Sequence, residues 1–214
     1  TLDGTLFPYT TLFRSYEATY FHNDFSNQLV VGSIAGGSTP LAQGETLYRG
    51  VELALNWNKQ ALQSREGEFY TNLSLTLLPT ARQDSPFIAA VGGAIVGGSA
   101  VGNRLPYAPK QTATLRVGYT KGAWDGSIEM QSVSSQFSDF ANTVLPVLNG
   151  NGQVGKIDGY NTFSATLNYE PELEGWSAFV TIKNLTNQEY IVDRTRGILL
   201  GNPRQIVTGL RFSF

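Results

Sequence analysis

Few side chains in this 214-residue chain are of types that could do chemistry, and they are scattered. Histidine occurs once, as His22 in YFHNDFSN, and cysteine is absent. A lone histidine without thiolates gives a metal site or a Ser–His relay nothing to build on. No nucleophile, base and orienting group come together, so an enzyme is not expected, and neither is a cofactor. The pair worth following is Arg194 and Arg196, in RTRG. Guanidinium groups suit a carboxylate-bearing anion, although loop arginines are often only solvated. Charged residues make up 15% of the chain and the net charge is −2. That is no basic footprint, and no nucleic-acid partner is expected.

The elements that would position these residues are strands. Leu47, Val51, Leu53, Leu55 and Trp57 share one parity, against Tyr48, Gly50, Glu52, Ala54 and Asn56. Successive strand residues point to opposite faces, so this segment has an apolar and a polar face, with Arg49 the exception. The pattern returns in Phe69–Leu77, Thr112–Tyr119, Thr162–Tyr169, Trp176–Lys183 and Gln205–Phe214. Tyr16–Val30 changes parity midway, as a bulge would cause, and Trp124–Phe137 loses its pattern at Val133. About eight strands and no helix result, an all-β chain. The run Phe87–Gly102 is shorter than the roughly 20 residues of a spanning helix and is broken by glycines.

Thr5–Ser15, TLFPYTTLFRS, is identical over its whole length to one reading frame of a widely used sequencing adapter. Residues 1–15 are therefore expected to be a non-native leader, with natural sequence from about Tyr16. Residues 1–15 do not have the basic and apolar make-up expected of a secretory signal.

Alternation alone fits a soluble sandwich as well as a membrane barrel. Two features favour an antiparallel up-and-down transmembrane barrel. Short connections (Asn58–Glu68, Thr120–Ala123, Glu170–Gly175) alternate with long ones (Val31–Glu45, Pro79–Tyr107, Ser138–Asp158, Asn187–Pro203). Barrels have short turns at the periplasmic end and longer loops outside. Aromatic residues also collect at the short-turn end: Trp57, Phe69, Tyr119, Trp124, Tyr169, Trp176 and Phe214. Such rings form the girdle at a membrane–water interface.

The C-terminal motifs carry a family resemblance. Asn184-Leu185-Thr186-Asn187 with Tyr190, then Gly201-Asn202-Pro203-Arg204 and Gly209-Leu210-Arg211-Phe212-Ser213-Phe214, resemble the ending of TonB-dependent outer-membrane receptors. Gly50-Val51-Glu52-Leu53, Leu105-Pro106-Tyr107-Ala108-Pro109-Lys110 and Ile157-Asp158-Gly159-Tyr160 resemble earlier segments of that family, in family order. The resemblance implies about the last eight strands of a 22-stranded barrel with a plugged lumen, in the outer membrane of a Gram-negative bacterium. It implies import of a scarce ligand, most often a ferric siderophore, with TonB-derived energy. Outer-membrane lipid would be one partner. The barrel-assembly machinery would read Phe214, and the TonB complex would be reached through a TonB box in a missing N-terminal part. Arg194 and Arg196 could then meet an anionic ferric chelate. Asn187 is expected to form a turn. The alternatives are a complete eight-stranded outer-membrane barrel with a structural or adhesive role, and a soluble β-sandwich binding module.

Overall fold

The structure is a computed structural model that describes residues 12–31, 40–59, 67–86, 90–91, 94–95, 98–147, 150–171 and 175–212. Its long strands are β1 (Leu12–Val31), β2 (Pro40–Lys59), β3 (Glu68–Gln83), β4 (Gln111–Lys121), β5 (Trp124–Val133), β6 (Tyr160–Tyr169), β7 (Trp176–Lys183) and β8 (Gln205–Phe212), with three short two-stranded ribbons in the loops. They form one eight-stranded sheet in sequence order, each pair antiparallel. The end strands β1 and β8 do not pair, so the sheet is open. Among the described residues, neither two packed large sheets nor a closed eight-stranded barrel forms. No described helix is long and apolar enough to cross a membrane, which says nothing of spanning strands.

The register lines up like with like. One ladder row runs Tyr16, Leu55, Leu73, Leu115, Met130, Phe163. A second runs Trp57, Thr71, Val117, Ile128, Ala165, Ile182, Ile206. Between them lies a polar row: Ser15, Asn56, Asn72, Arg116, Glu129, Ser164. One face is therefore apolar and the other polar across the sheet. The apolar face is not a core: Ile128, Val117, Ile206 and Leu210 are 58%, 45%, 67% and 68% exposed. Buried apolar residues gather instead under the long loops, where Ala81, Leu105, Ala108 and Phe140 pack with Tyr48 and Leu78.

The irregularities have local causes. In β3, Leu78 and Pro79 stand between the pairs Val51↔Leu77 and Arg49↔Thr80, so two residues oppose Gly50. Proline has no N–H to give the ladder and is tolerated at such a bulge. The parity change read in Tyr16–Val30 is a pair of register shifts at Phe25, Gln28 and Leu29. β5 ends at Val133, where the alternation fails.

One connection differs from expectation. The long loop over Val31–Glu45 is not one: β1 runs to Val31 and β2 starts at Pro40, directly paired. Backbone hydrogen bonds do not require a face pattern, and the bulges absorb the mismatch. Residues 32–39 lie outside the described residues. The first residues of β1, Leu12–Ser15, belong to the adapter-like stretch; they join a ladder made of backbone bonds that any such sequence supplies.

On the polar face, aromatic rings cover glycines. Phe21 opposes Gly50, Tyr70 opposes Gly118 and Phe179 opposes Gly209, and in each case a Cβ on the glycine would collide with the ring. Phe179 is thus an apolar residue on the polar face, filling the space above Gly209. Gly126, on the apolar face, differs: an added Cβ would meet only Leu167 Cδ1, at 3.6 Å. Gly118→Ala is expected to cost about 1–3 kcal/mol through overpacking against Tyr70. Gly126→Ala is expected to be tolerated. Urea midpoints of the two refolded variants check this, and equal midpoints would discard the ring-over-glycine account.

Candidate functional site

The long connections converge at one end of the sheet, and the bulge in β3 begins their organisation. Its carbonyls would lack ladder partners, and Arg104 supplies them. Its Nη2 donates to Leu78 O (2.6 Å), Nη1 to Pro79 O (3.1 Å) and Nε to Ala108 O (2.7 Å). Burial lowers the pKa of this guanidinium from its ordinary value. Backbone groups of Arg104 also pair with the Asn142 amide in both directions, each bond 2.7 Å. Arg104 thereby joins the 84–110 and 134–159 connections to β3. The sequence held no sign of this role, because its partners are carbonyls 25 and 26 residues away.

The third connection docks on the other two. Tyr107, at φ 53°, accepts a hydrogen bond at its hydroxyl from Arg194 N (3.1 Å). Thr195 donates to Asp193 Oδ1 through its hydroxyl (2.6 Å) and its N–H (3.1 Å). Gln153 Nε2 donates to Thr195 O (3.0 Å). Burial raises the Tyr107 pKa and keeps the phenol neutral. For Asp193 burial also acts upward, but hydrogen bonds from Thr195, Tyr107 and the Arg194 N–H outweigh it and hold the carboxyl below its ordinary value.

Of the two arginines singled out in the sequence, Arg194 is 5% exposed, and its Nη1 donates to Gly152 O (2.9 Å). It fastens one loop to another. Arg196 is exposed. The structure therefore gives the two different surroundings.

The C-terminal motifs form a clasp. Asn184, at φ 49°, donates through Nδ2 to Gln188 O and Asn202 O and accepts from Gln188 N, each at 2.9 Å. Asn187, at φ 51°, is a turn residue as expected, and its Oδ1 accepts from Arg204 N (2.9 Å). Tyr190 covers Gly201 and stacks on Tyr160 with centroids 4.2 Å apart. Beside the clasp, the polar face holds a cavity of about 370 Å³ lined by Arg116, Glu129, Gln131, Thr162, Lys183 and Tyr190, among others.

At the opposite end the aromatic residues meet. Phe69 and Tyr119 lie 4.5 Å apart, Trp124 and Tyr169 4.5 Å, and Tyr169 and Trp176 5.5 Å. Trp57 sits nearer the sheet centre, opposite Thr71. Phe214 lies outside the described residues; Phe212 opposes Trp176. His22 pairs with Arg49 in the ladder, and no group of three metal-ligating side chains occurs among the described residues.

Because the folded Asp193 pKa is depressed, its stabilising contribution is complete above the unfolded value of about 3.9 and is lost as pH falls through the lower folded value. Amide exchange at Thr195 is expected to speed up relative to other loop amides in that acidic window. In Asp193→Asn the window should disappear; identical profiles for the two proteins would rule the linkage out.

The sequence profile of the family described as TonB dependent receptor-like, beta-barrel, matches residues 5–185. Among solved structures, the siderophore receptor PiuA from Acinetobacter baumannii superposes with a TM-score of 0.70 at 18% identity, over 93% of this chain and 26% of that one. The ferric citrate transporter FecA gives 0.62 at 22% identity, over 92% and 29%. The ferric yersiniabactin uptake receptor FyuA from Yersinia pestis gives 0.64 at 16%, over 94% and 28%. At these identities the likeness is one of fold, and the chain spans between a quarter and a third of each structure's length. The open sheet with its apolar and polar faces, the loop-end clasp and the profile match agree: the chain belongs to the TonB-dependent receptor β-barrel family.

Proposed function

We propose that this chain is the C-terminal barrel portion of an active-transport receptor in the outer membrane of a Gram-negative bacterium, importing a ferric siderophore with energy from the TonB complex. The observation that carries the membrane part is the exposed apolar face, which no described segment covers. In water such a face, with an unpaired strand at each edge, favours aggregation. In a bilayer the same face meets lipid while the ladder satisfies the backbone. The aromatic row at the short-turn end then lies at the membrane–water boundary. Phe214, two residues beyond β8 in the sequence, would be the residue read by the barrel-assembly machinery. The ligand class is supported by the solved neighbours, which include a siderophore receptor and a ferric citrate transporter. A copper transporter of the same fold is the reason to test the ligand directly.

Of the two loop arginines, Arg196 is exposed and suited to an anionic chelate, whereas Arg194 holds the loop in place. Residues 1–15 are read as a leader foreign to the protein. Amplifying the source locus across that junction tests this: continuation into further barrel strands and a plug supports the receptor reading, and a signal sequence directly before Tyr16 removes it.

Two outcomes are expected beyond sequencing. Native protein should fractionate with the outer membrane, and recovery from the soluble fraction would end the membrane reading. Ile128→Arg, central on the apolar face, should weaken folding into lipid vesicles by about 2–4 kcal/mol, while Thr114→Lys on the polar face should cost far less. Equal losses would mean that the faces are assigned wrongly. In a siderophore-receptor-deficient strain, Arg196→Glu should lower uptake of an anionic ferric chelate without lowering the amount of folded protein.

A further inference from the structure

The apolar face is not evenly filled. Where β4, β5 and β6 reach the short turn, a groove of about 610 Å³ opens between Tyr119, Trp124, Leu167 and Tyr169, with Gly126 between them and Lys121 at the rim. Glycines in a strand weaken it and usually have a reason. Gly50, Gly118 and Gly209 have one, since each lies under an aromatic ring. Gly126 does not. Its backbone is outside the left-handed region, and a Cβ would make only an ordinary contact with Leu167. Its ladder partners are Tyr119 and Leu167, so the missing side chain leaves a notch in the row between two large residues. A glycine of this kind marks a place where something outside the strand approaches closely.

Among the described residues, the charges around the turn are sorted by face. Lys121 is exposed and pairs with Trp124, on the apolar side. Asp125 and Glu170 line a second cavity with Asn168, Ser177 and Arg211 on the polar side, adjoining the groove at Gly122, Ala123 and Trp124. Asp125 is moreover occupied by hydrogen bonds from Tyr70, Thr120 and Asn168. Among the described residues, the groove thus has apolar and aromatic walls and a single cation at its turn end.

We propose that this groove binds one anionic glycerophospholipid of the leaflet on the short-turn side, an acyl chain lying across Gly126 and the phosphodiester against the Lys121 ammonium. This rests on the membrane reading given above. A zwitterionic lipid fits the groove less well, because its own ammonium competes with Lys121 for the phosphate.

Trp124 is the reporter. The full-length protein, with Trp57, Trp176 and every tryptophan outside this chain replaced by phenylalanine, is folded into phosphatidylcholine vesicles containing acyl-brominated phosphatidylglycerol or acyl-brominated phosphatidylcholine. Bromine quenches a tryptophan that it touches. The expected preference for phosphatidylglycerol at Trp124 is about three- to fivefold, the scale of one lysine at an anionic membrane surface. Lys121→Gln should bring the ratio to near one. Gly126→Leu, which fills the notch, should reduce quenching by both lipids, and if that variant does not fold, the Lys121→Gln ratio decides alone. Equal quenching by the two lipids in the parent protein, unchanged by Lys121→Gln, would reduce the groove to bulk-lipid contact and overturn the proposal while leaving the membrane reading intact. Failure to insert, seen as unquenched Trp124 and protein in the supernatant, would overturn both.

Discussion

The antiparallel ladder from β1 to β8 decides which residues stand side by side, and most other features follow from its register. Because the side-chain period is two, a slip of one residue would move every apolar side chain to the polar face. The row of Val117, Ile128, Ala165, Ile182 and Ile206 exists only at this register, and so does the polar row of Asn56, Asn72, Arg116 and Glu129. Side chains reinforce it: Asn72 donates to Asn56 (2.8 Å), Arg116 to Ser127 (3.2 and 3.0 Å), and Thr166 and Thr181 share a bond of 3.1 Å. The rings over Gly50, Gly118 and Gly209 fix neighbouring strands by shape.

A sheet without a conventional core must find order for its loops elsewhere. Here polar side chains bind backbone groups of distant segments: Arg104 on the bulge carbonyls, Asn142 on Arg104, Ser138 on Gly155 O, and Arg194 on Gly152 O. Ser138 is fully buried and Arg194 nearly so, which makes these bonds costly to lose. The small apolar cluster of Ala81, Leu105, Ala108 and Phe140 lies beneath the same loops and excludes water from them. Position in the loop region therefore does not make an arginine a ligand contact. Arg104 and Arg194 are both structural fasteners.

What could be read from the sequence was whatever depends on period and turn chemistry. Strands such as Thr112–Tyr119 and Thr162–Tyr169 were legible because every second residue is apolar, and Gly122, at φ 54° in the turn before Trp124, punctuates as a glycine should. The aromatic neighbours Phe69, Tyr119, Trp124, Tyr169 and Trp176 followed from the same boundaries. The start of β2 at Pro40 was not legible, since a ladder through Leu41, Ala42 and Gly44 has no face pattern to announce it. Phe179 stands among Ser177, Thr181 and Lys183 for a reason that lies on another strand, at Gly209. Arg104 escaped because its partners are backbone oxygens, and the burial of Arg194 was not legible because a loop's composition does not show which of its arginines is covered.

The clasp at the C-terminal end has a consequence in time as well as in shape. Its bonds close short stretches of chain: Asn187 to Arg204 spans 17 residues, and Asn184 to Asn202 spans 18. The docking of Arg194 on Tyr107 closes 87. Short closures lose less chain entropy and are reached sooner than long ones. The hairpin of β7 and β8 can consequently settle its alignment from its own residues, before contacts with earlier strands have formed. Folding would then proceed outward from an already aligned edge, onto which β6 and the strands before it add in turn.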